Sequence, residues 1–208
     1  NSSSSTGGGV YAGGATAVAG ADFISNTGTS GGGLYVNSGG ATVTGAHFIS
    51  NTASTGNGGG LQTFAGALIV DGTDYQNNTA MDGGGVYAAG ALTLTNSQIT
   101  TNSATRTGGG VYVYNGNLSI DGSQFISNTS AAAGGGVYKQ PQGNQVTITD
   151  TEFISNTAGT NVTGSYTGNG GGIYGGDDLH AFNVTFTGNA SNWITTTEYL
   201  AGGGGIYS

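Results

Sequence analysis

The chain has 208 residues, 45 of them Gly, with one Pro, no Cys and only 6% charged residues. Two basic residues, Arg106 and Lys139, against ten acidic ones leave a formal charge of −8, so a polyanion is repelled and neither nucleic acid nor an acidic membrane surface is an expected partner. Without Cys there is no disulfide framework and no thiolate metal site, and no apolar run approaches the roughly 20 residues that cross a bilayer, so direct membrane insertion is not expected.

The polar opening Asn1 to Thr6 has no signal-peptide pattern. It leads into Gly7-Gly8-Gly9-Val10-Tyr11, the first of eight copies of a glycine motif that start at 7, 31, 58, 83, 108, 134, 170 and 203. Recurrence at a period near 25 residues marks a solenoid. In each copy the residue after the glycines is aliphatic and reads as core-facing. The next residue is Tyr in every copy but one, Gln62, and reads as outward-facing.

Behind each motif comes a run with apolar residues at spacing two: Thr16 and Val18, Ala41 and Val43, Leu68 and Val70, Leu92 and Leu94, Leu118 and Ile120, Val146 and Ile148. Alternation of this kind places one face of a strand inward. Five residues after the second member stands an anchor: Phe23, Phe48, Tyr75, Ile99, Phe125 and Phe153. Three residues after each anchor, and after Phe186, stands an asparagine, giving Asn26, Asn51, Asn78, Asn102, Asn128, Asn156 and Asn189. A side-chain amide repeated at one corner predicts an asparagine ladder with a structural role.

Three short strands per coil, separated by turn residues, predict an all-β, right-handed parallel β-helix of about eight coils of about 25 residues, since parallel crossovers are right-handed. At about 4.8 Å per coil the rod is about 40 Å long. The whole chain, 1–208, reads as one β-solenoid domain, with insertions at 159–169 and 190–201. These carry Tyr166, Trp193, Glu198, Tyr199 and Leu200, as recognition loops or as a cap.

The pairing of Gly32-Gly33-Leu34 with Phe48-Ile49-Ser50-Asn51, repeated in most coils, resembles the repeats of polymorphic outer membrane proteins and related bacterial surface right-handed β-helix proteins. The resemblance covers essentially all of the chain and implies a surface location. It is less specific for function, because such repeats serve adhesins, passenger domains and some polysaccharide-active enzymes. Departures are Gln62 for Tyr, Tyr75 and Ile99 for Phe, and the two long final repeats.

Chemistry is sparse. Asp177 and Asp178 beside His180 are the densest polar cluster, weak candidates for calcium or for glycoside hydrolysis. Asp71 and Asp121 fall two coils apart with Thr95 between them and read as solvated carboxylates, and His47 reads as a lone surface side chain. Threonine pairs Thr42/Thr44, Thr93/Thr95 and Thr147/Thr149 form an interrupted array of the kind ice-binding solenoids use. The tyrosine row Tyr11, Tyr35, Tyr87, Tyr112, Tyr138, Tyr174 and Tyr207 offers ligand or lateral contacts, together with Tyr166, Trp193 and Tyr199. The sequons at Asn117, Asn161 and Asn183 permit glycosylation.

The expectation is therefore a non-catalytic extracellular or cell-surface structural and adhesive solenoid without cofactor or metal. Its partners are glycans, other surface proteins or further copies of itself stacked head to tail, because the last glycine motif ends uncapped at Tyr207 and an open edge templates association. The alternatives are a lyase or glycosidase on the same fold, and an ice-binding solenoid.

Overall fold

The computed structural model describes residues 1–159, 169–175, 178–192 and 203–208. Among these there is no helix, and every strand belongs to one of four parallel sheets in which it pairs with its equivalents in the coil before and the coil after. The first sheet begins Val10–Ala12, Leu34–Val36, Leu61–Thr63 and has eight strands, while the other three have seven each. Seven coils are thus complete and an eighth is begun. The winding is of the right-handed type.

The structure departs from the expectation of three strands per coil. A fourth strand follows each ladder asparagine, as at Thr27–Gly28, Thr52–Ala53, Thr79–Asp82 and Ser103–Thr107. Most of these strands are two residues long, too short to show alternation. The pairing of Thr79–Asp82 with Ser103–Thr107 also slips by a residue between Ala80 and Asp82.

Besides the glycine motif, two corners in each coil are made by residues in the left-handed region. One lies between the second and third sheets, at Gly20, Gly45, Gly72, Asn96, Gly122, Asp150 and Asn183. The other immediately precedes the ladder asparagine and is held by Ser25, Ser50, Asn77, Thr101, Ser127 and Ser155 at φ 53 to 56. Small polar side chains tolerate this region because they bond locally to the backbone.

The three glycines of the motif are needed for three different reasons, visible at Gly31, Gly32 and Gly33. Gly31 has φ +56, and a Cβ there would lie 2.7 Å from the Leu34 carbonyl oxygen. At Gly32 a Cβ would meet the carbonyl oxygens of both Thr52 and Gly59 at 2.5 Å, and at Gly33 it would meet Gly60 O at 2.6 Å and the Phe48 ring at 3.0 Å. Only the first of the three turns the chain left-handed; the others are glycine because backbone or core occupies the place of a side chain.

Inside, the aliphatic residues of the first two sheets pack against the anchors of the third. Anchor rings stack along the axis: Phe23 on Phe48 at 4.5 Å, Phe48 on Tyr75 at 4.8 Å, Phe125 on Phe153 at 4.7 Å and Phe153 on Phe186 at 5.1 Å. Ile99 interrupts the series and is fully buried in it. Neighbour-to-neighbour stacking of this kind is how a solenoid acquires its stability.

Candidate functional site

The asparagine corner is the most regular polar feature. Asn78 is representative: its backbone N–H and its Nδ2 both donate to Asn102 Oδ1, at 3.0 and 2.9 Å, while its second amide hydrogen reaches the Phe48 carbonyl at 2.7 Å. The same pattern joins Asn26 to Asn51, Asn51 to Asn78, Asn102 to Asn128, Asn128 to Asn156 and Asn156 to Asn189. Asn1 extends the ladder by donating to Asn26 Oδ1 at 2.8 Å. Amides so engaged, and mostly buried, have no capacity left for a ligand.

A second ladder, absent from the sequence reading, occupies the corner between the second and third sheets. Thr73 N–H donates to Ser97 Oγ at 3.1 Å and Ser97 N–H to Ser123 Oγ at 3.2 Å, and each hydroxyl turns back on the carbonyl two residues earlier. Ser or Thr directly after the corners at Gly72, Asn96, Gly122 and Asp150 was the available signal.

The tyrosines of the first sheet face away from the core, between lumen-facing neighbours such as Leu34 and Val36. Their rings lie on one another: Tyr11 on Tyr35 at 5.6 Å, Tyr87 on Tyr112 at 4.9 Å, Tyr112 on Tyr138 at 5.1 Å, Tyr138 on Tyr174 at 4.7 Å and Tyr174 on Tyr207 at 5.2 Å. Each ring face is therefore largely taken up by its neighbour. Tyr35 and Tyr112 are only 8% and 6% exposed, whereas Tyr11 and Tyr207, at the two ends of the row, are open to solvent. Burial raises the phenol pKa of Tyr35, Tyr87 and Tyr112; Asp82 raises Tyr87 and Tyr112 further, and Arg106 opposes that.

Asp82 and Arg106 are joined across one coil. The buried Asp82 carboxylate accepts from Arg106 Nε at 2.9 Å, from Arg106 Nη2, and from the Thr107 hydroxyl at 2.7 Å. A buried carboxylate needs such partners, and the register slip beside it brings Thr107 opposite Asp82. Lys139, the other cation, takes the inward position held by Val113 one coil earlier and is buried there, with Nζ donating to the Gln140 carbonyl at 2.7 Å.

Among the described residues the remaining carboxylates do not converge on a catalytic pair. Asp71 and Asp121 stand in register on either side of Thr95. Asp71 accepts from Thr95 Oγ1 at 2.7 Å and Asn96 Nδ2 at 2.9 Å, and these bonds hold its pKa below the usual carboxylate range. A general acid requires the opposite shift. Asp121 likewise accepts from the Thr149 hydroxyl.

His47 is exposed as expected but is not alone: it sits in register between Asp22 and Asp74, with Nδ1 2.9 Å from Asp22 and Nε2 3.6 Å from Asp74. Asp178 and His180 pair at 2.9 Å on the outer face of the second sheet. Among the described residues no group of three or more His, Cys, Asp or Glu could hold a metal ion. Asp177, Tyr166, Trp193 and Tyr199, and most of both insertions, lie outside the described residues.

Compared with known proteins, residues 183–208 match the repeat of the Chlamydia polymorphic membrane proteins. That segment holds Phe186 and Asn189 at one end and Gly203-Gly204-Gly205-Ile206 at the other. In the structure Phe186 extends the anchor stack, Asn189 ends the described part of the ladder, and Ile206 pairs with Ile173 in the first sheet. No curated protein and no solved structure matches the chain. Because the same stack, ladder and glycine corner recur in the earlier coils, the chain is a parallel β-helix repeat protein that resembles the polymorphic membrane protein repeats.

Proposed function

We propose that the chain is a non-catalytic, extracellular structural rod that presents adhesive contacts at a cell surface. One observation carries this reading: the polar side chains that recur from coil to coil are engaged with the next coil rather than directed toward a common external point. The asparagine and hydroxyl ladders consume their donors and acceptors along the axis, and Asp71 and Asp121 are tied to threonines one coil on. Similarity to a repeat of outer-surface proteins supports the location.

Beads coated with the purified chain test the adhesive role when mixed with cells and glycan-bearing surfaces, alongside turnover assays on neutral and acidic polysaccharides. Adhesion above uncoated beads, without turnover, is the expected result. Turnover that disappears in Asp71→Ala or Asp178→Ala contradicts it.

A further inference from the structure

Asn-Gly pairs occur at Asn57-Gly58, Asn115-Gly116 and Asn169-Gly170. In such a pair the glycine nitrogen has an open approach to the asparagine amide carbon, because the second residue has no Cβ to obstruct it. Where the fold sends that nitrogen decides whether the approach is used. Gly58 is buried and its N–H donates to the Asp82 carbonyl of the next coil at 3.0 Å, while Asn57 Oδ1 is itself enclosed. Asn169 and Gly170 are both buried.

Asn115-Gly116 differs on each count. It lies in the bend between Val111–Val113 and Leu118–Asp121, where Tyr114, Asn115 and Asn117 are exposed. The Gly116 N–H turns to the side chain of Asn115 and donates to its Oδ1 at 2.8 Å. The amide carbon is one C=O bond from that oxygen, hence within about 4 Å of the nitrogen. The same Oδ1 accepts from Nδ2 of Asn144, in the equivalent bend one coil on, at 3.2 Å. Attack on the amide carbon would place negative charge on this oxygen, so a donor already aimed at it favours the transition state.

We propose that Asn115 is a self-modification site, deamidated by its own backbone with help from Asn144, while the fold protects Asn57 and Asn169. The Gly116 nitrogen gives its proton to water and bonds to Asn115 Cγ. The Cγ–Nδ2 bond then breaks, and ammonia leaves with a proton returned by solvent. Water opens the resulting cyclic imide at one carbonyl or the other, leaving aspartate or isoaspartate. One water is consumed and one ammonia released, with nothing oxidised or reduced. The product adds a carboxylate to a formal charge already at −8. In the isoaspartate form the main chain runs through Cβ, within a bend that Asn144 Nδ2 and the Gln145 N–H tie to the next coil through Asn115 and Asn117.

The test incubates the folded full chain in heavy-oxygen water at mildly alkaline pH, then unfolds it and digests it with trypsin in ordinary water. Cleavage after Arg106 and Lys139 puts the three pairs in separate peptides, 1–106, 107–139 and 140–208. Heavy oxygen is expected in 107–139 at least ~10-fold ahead of the other two, located at Asn115 by fragmentation and present as both aspartate and isoaspartate. Incubation in urea should let the other two peptides catch up. Asn115→Gln should abolish label in 107–139, and Asn144→Ala, with an unchanged circular dichroism spectrum, should slow it by about 3-fold or more. The site is overturned if the three peptides gain label together in the folded chain, if the label in 107–139 lies at Asn117 or Asn128, or if the lead persists in urea and so owes nothing to the fold. An unchanged rate in Asn144→Ala overturns the part given to Asn144.

Discussion

Asn78 and Asn102 share a hydrogen bond of 2.9 Å between their side chains, and the same Asn102 oxygen also accepts the Asn78 backbone N–H at 3.0 Å. One oxygen thus satisfies two buried donors of the coil before it, and the Asn102 amide in turn reaches the Tyr75 carbonyl at 2.9 Å. Asn102→Ala removes the acceptor and both donors from a buried corner. Because buried donors left unmatched are each costly, the loss is expected to be about 3–5 kcal/mol. Urea unfolding followed by circular dichroism measures it, and a change below about 1 kcal/mol would deny the ladder its role.

Tyr75 carries the reverse expectation. It replaces Phe in the anchor stack, lies fully buried, and its hydroxyl has no hydrogen-bond partner. Tyr75→Phe keeps the ring contact with Phe48 and removes the unmatched group. A gain of about 1–2 kcal/mol in the same unfolding measurement is expected.

Glycine positions divide sharply. A Cβ at Gly84 would lie 2.3 Å from Gly109 O and 2.5 Å from Ser103 O, whereas at Gly13 it meets nothing within 4 Å. Gly84→Ala should therefore destabilise by about 3 kcal/mol or more through forced backbone displacement. Gly13→Ala should be neutral to stabilising by about 0.4–1 kcal/mol, through reduced freedom of the unfolded chain. Thermal melts of the two variants side by side check both signs.

The tyrosine column predicts alkaline sensitivity. Tyr35, Tyr75, Tyr87 and Tyr112 all have pKa values raised on folding, with burial the first cause in each. A raised folded pKa means that the protonated form is favoured in the fold. The stability this confers is complete below the unfolded value near 10 and is lost as pH rises above it. Melting temperature should fall steeply above about pH 10, and less steeply in Tyr112→Phe.

Much of this architecture was written in the repeats. The glycine motif, the alternation of Val43 with Thr42 and Thr44, and the spacing from Phe48 to Asn51 each follow from one local rule repeated at fixed intervals. What escaped depended on register between coils. Thr27–Gly28 is too short to alternate, so the fourth sheet left no pattern. Asp82 and Arg106 are 24 residues apart and meet only because one coil stacks on the next. Lys139 stands where the earlier coils have Ala12, Val36, Thr63, Ala88 and Val113, and no local signal marks a charged residue as buried. His47 looked solitary until stacking set Asp22 and Asp74 on either side of it.

The most direct test of a rod held together along its axis is hydrogen exchange at the side-chain amides, followed by NMR after transfer to D2O. The Nδ2 hydrogens of Asn51, Asn78, Asn102 and Asn128 are predicted to persist long after those of the exposed Asn115 and Asn117 have exchanged. Exchange of all six at one fast rate would contradict the ladder and, with it, the account of how this chain spends its polar groups.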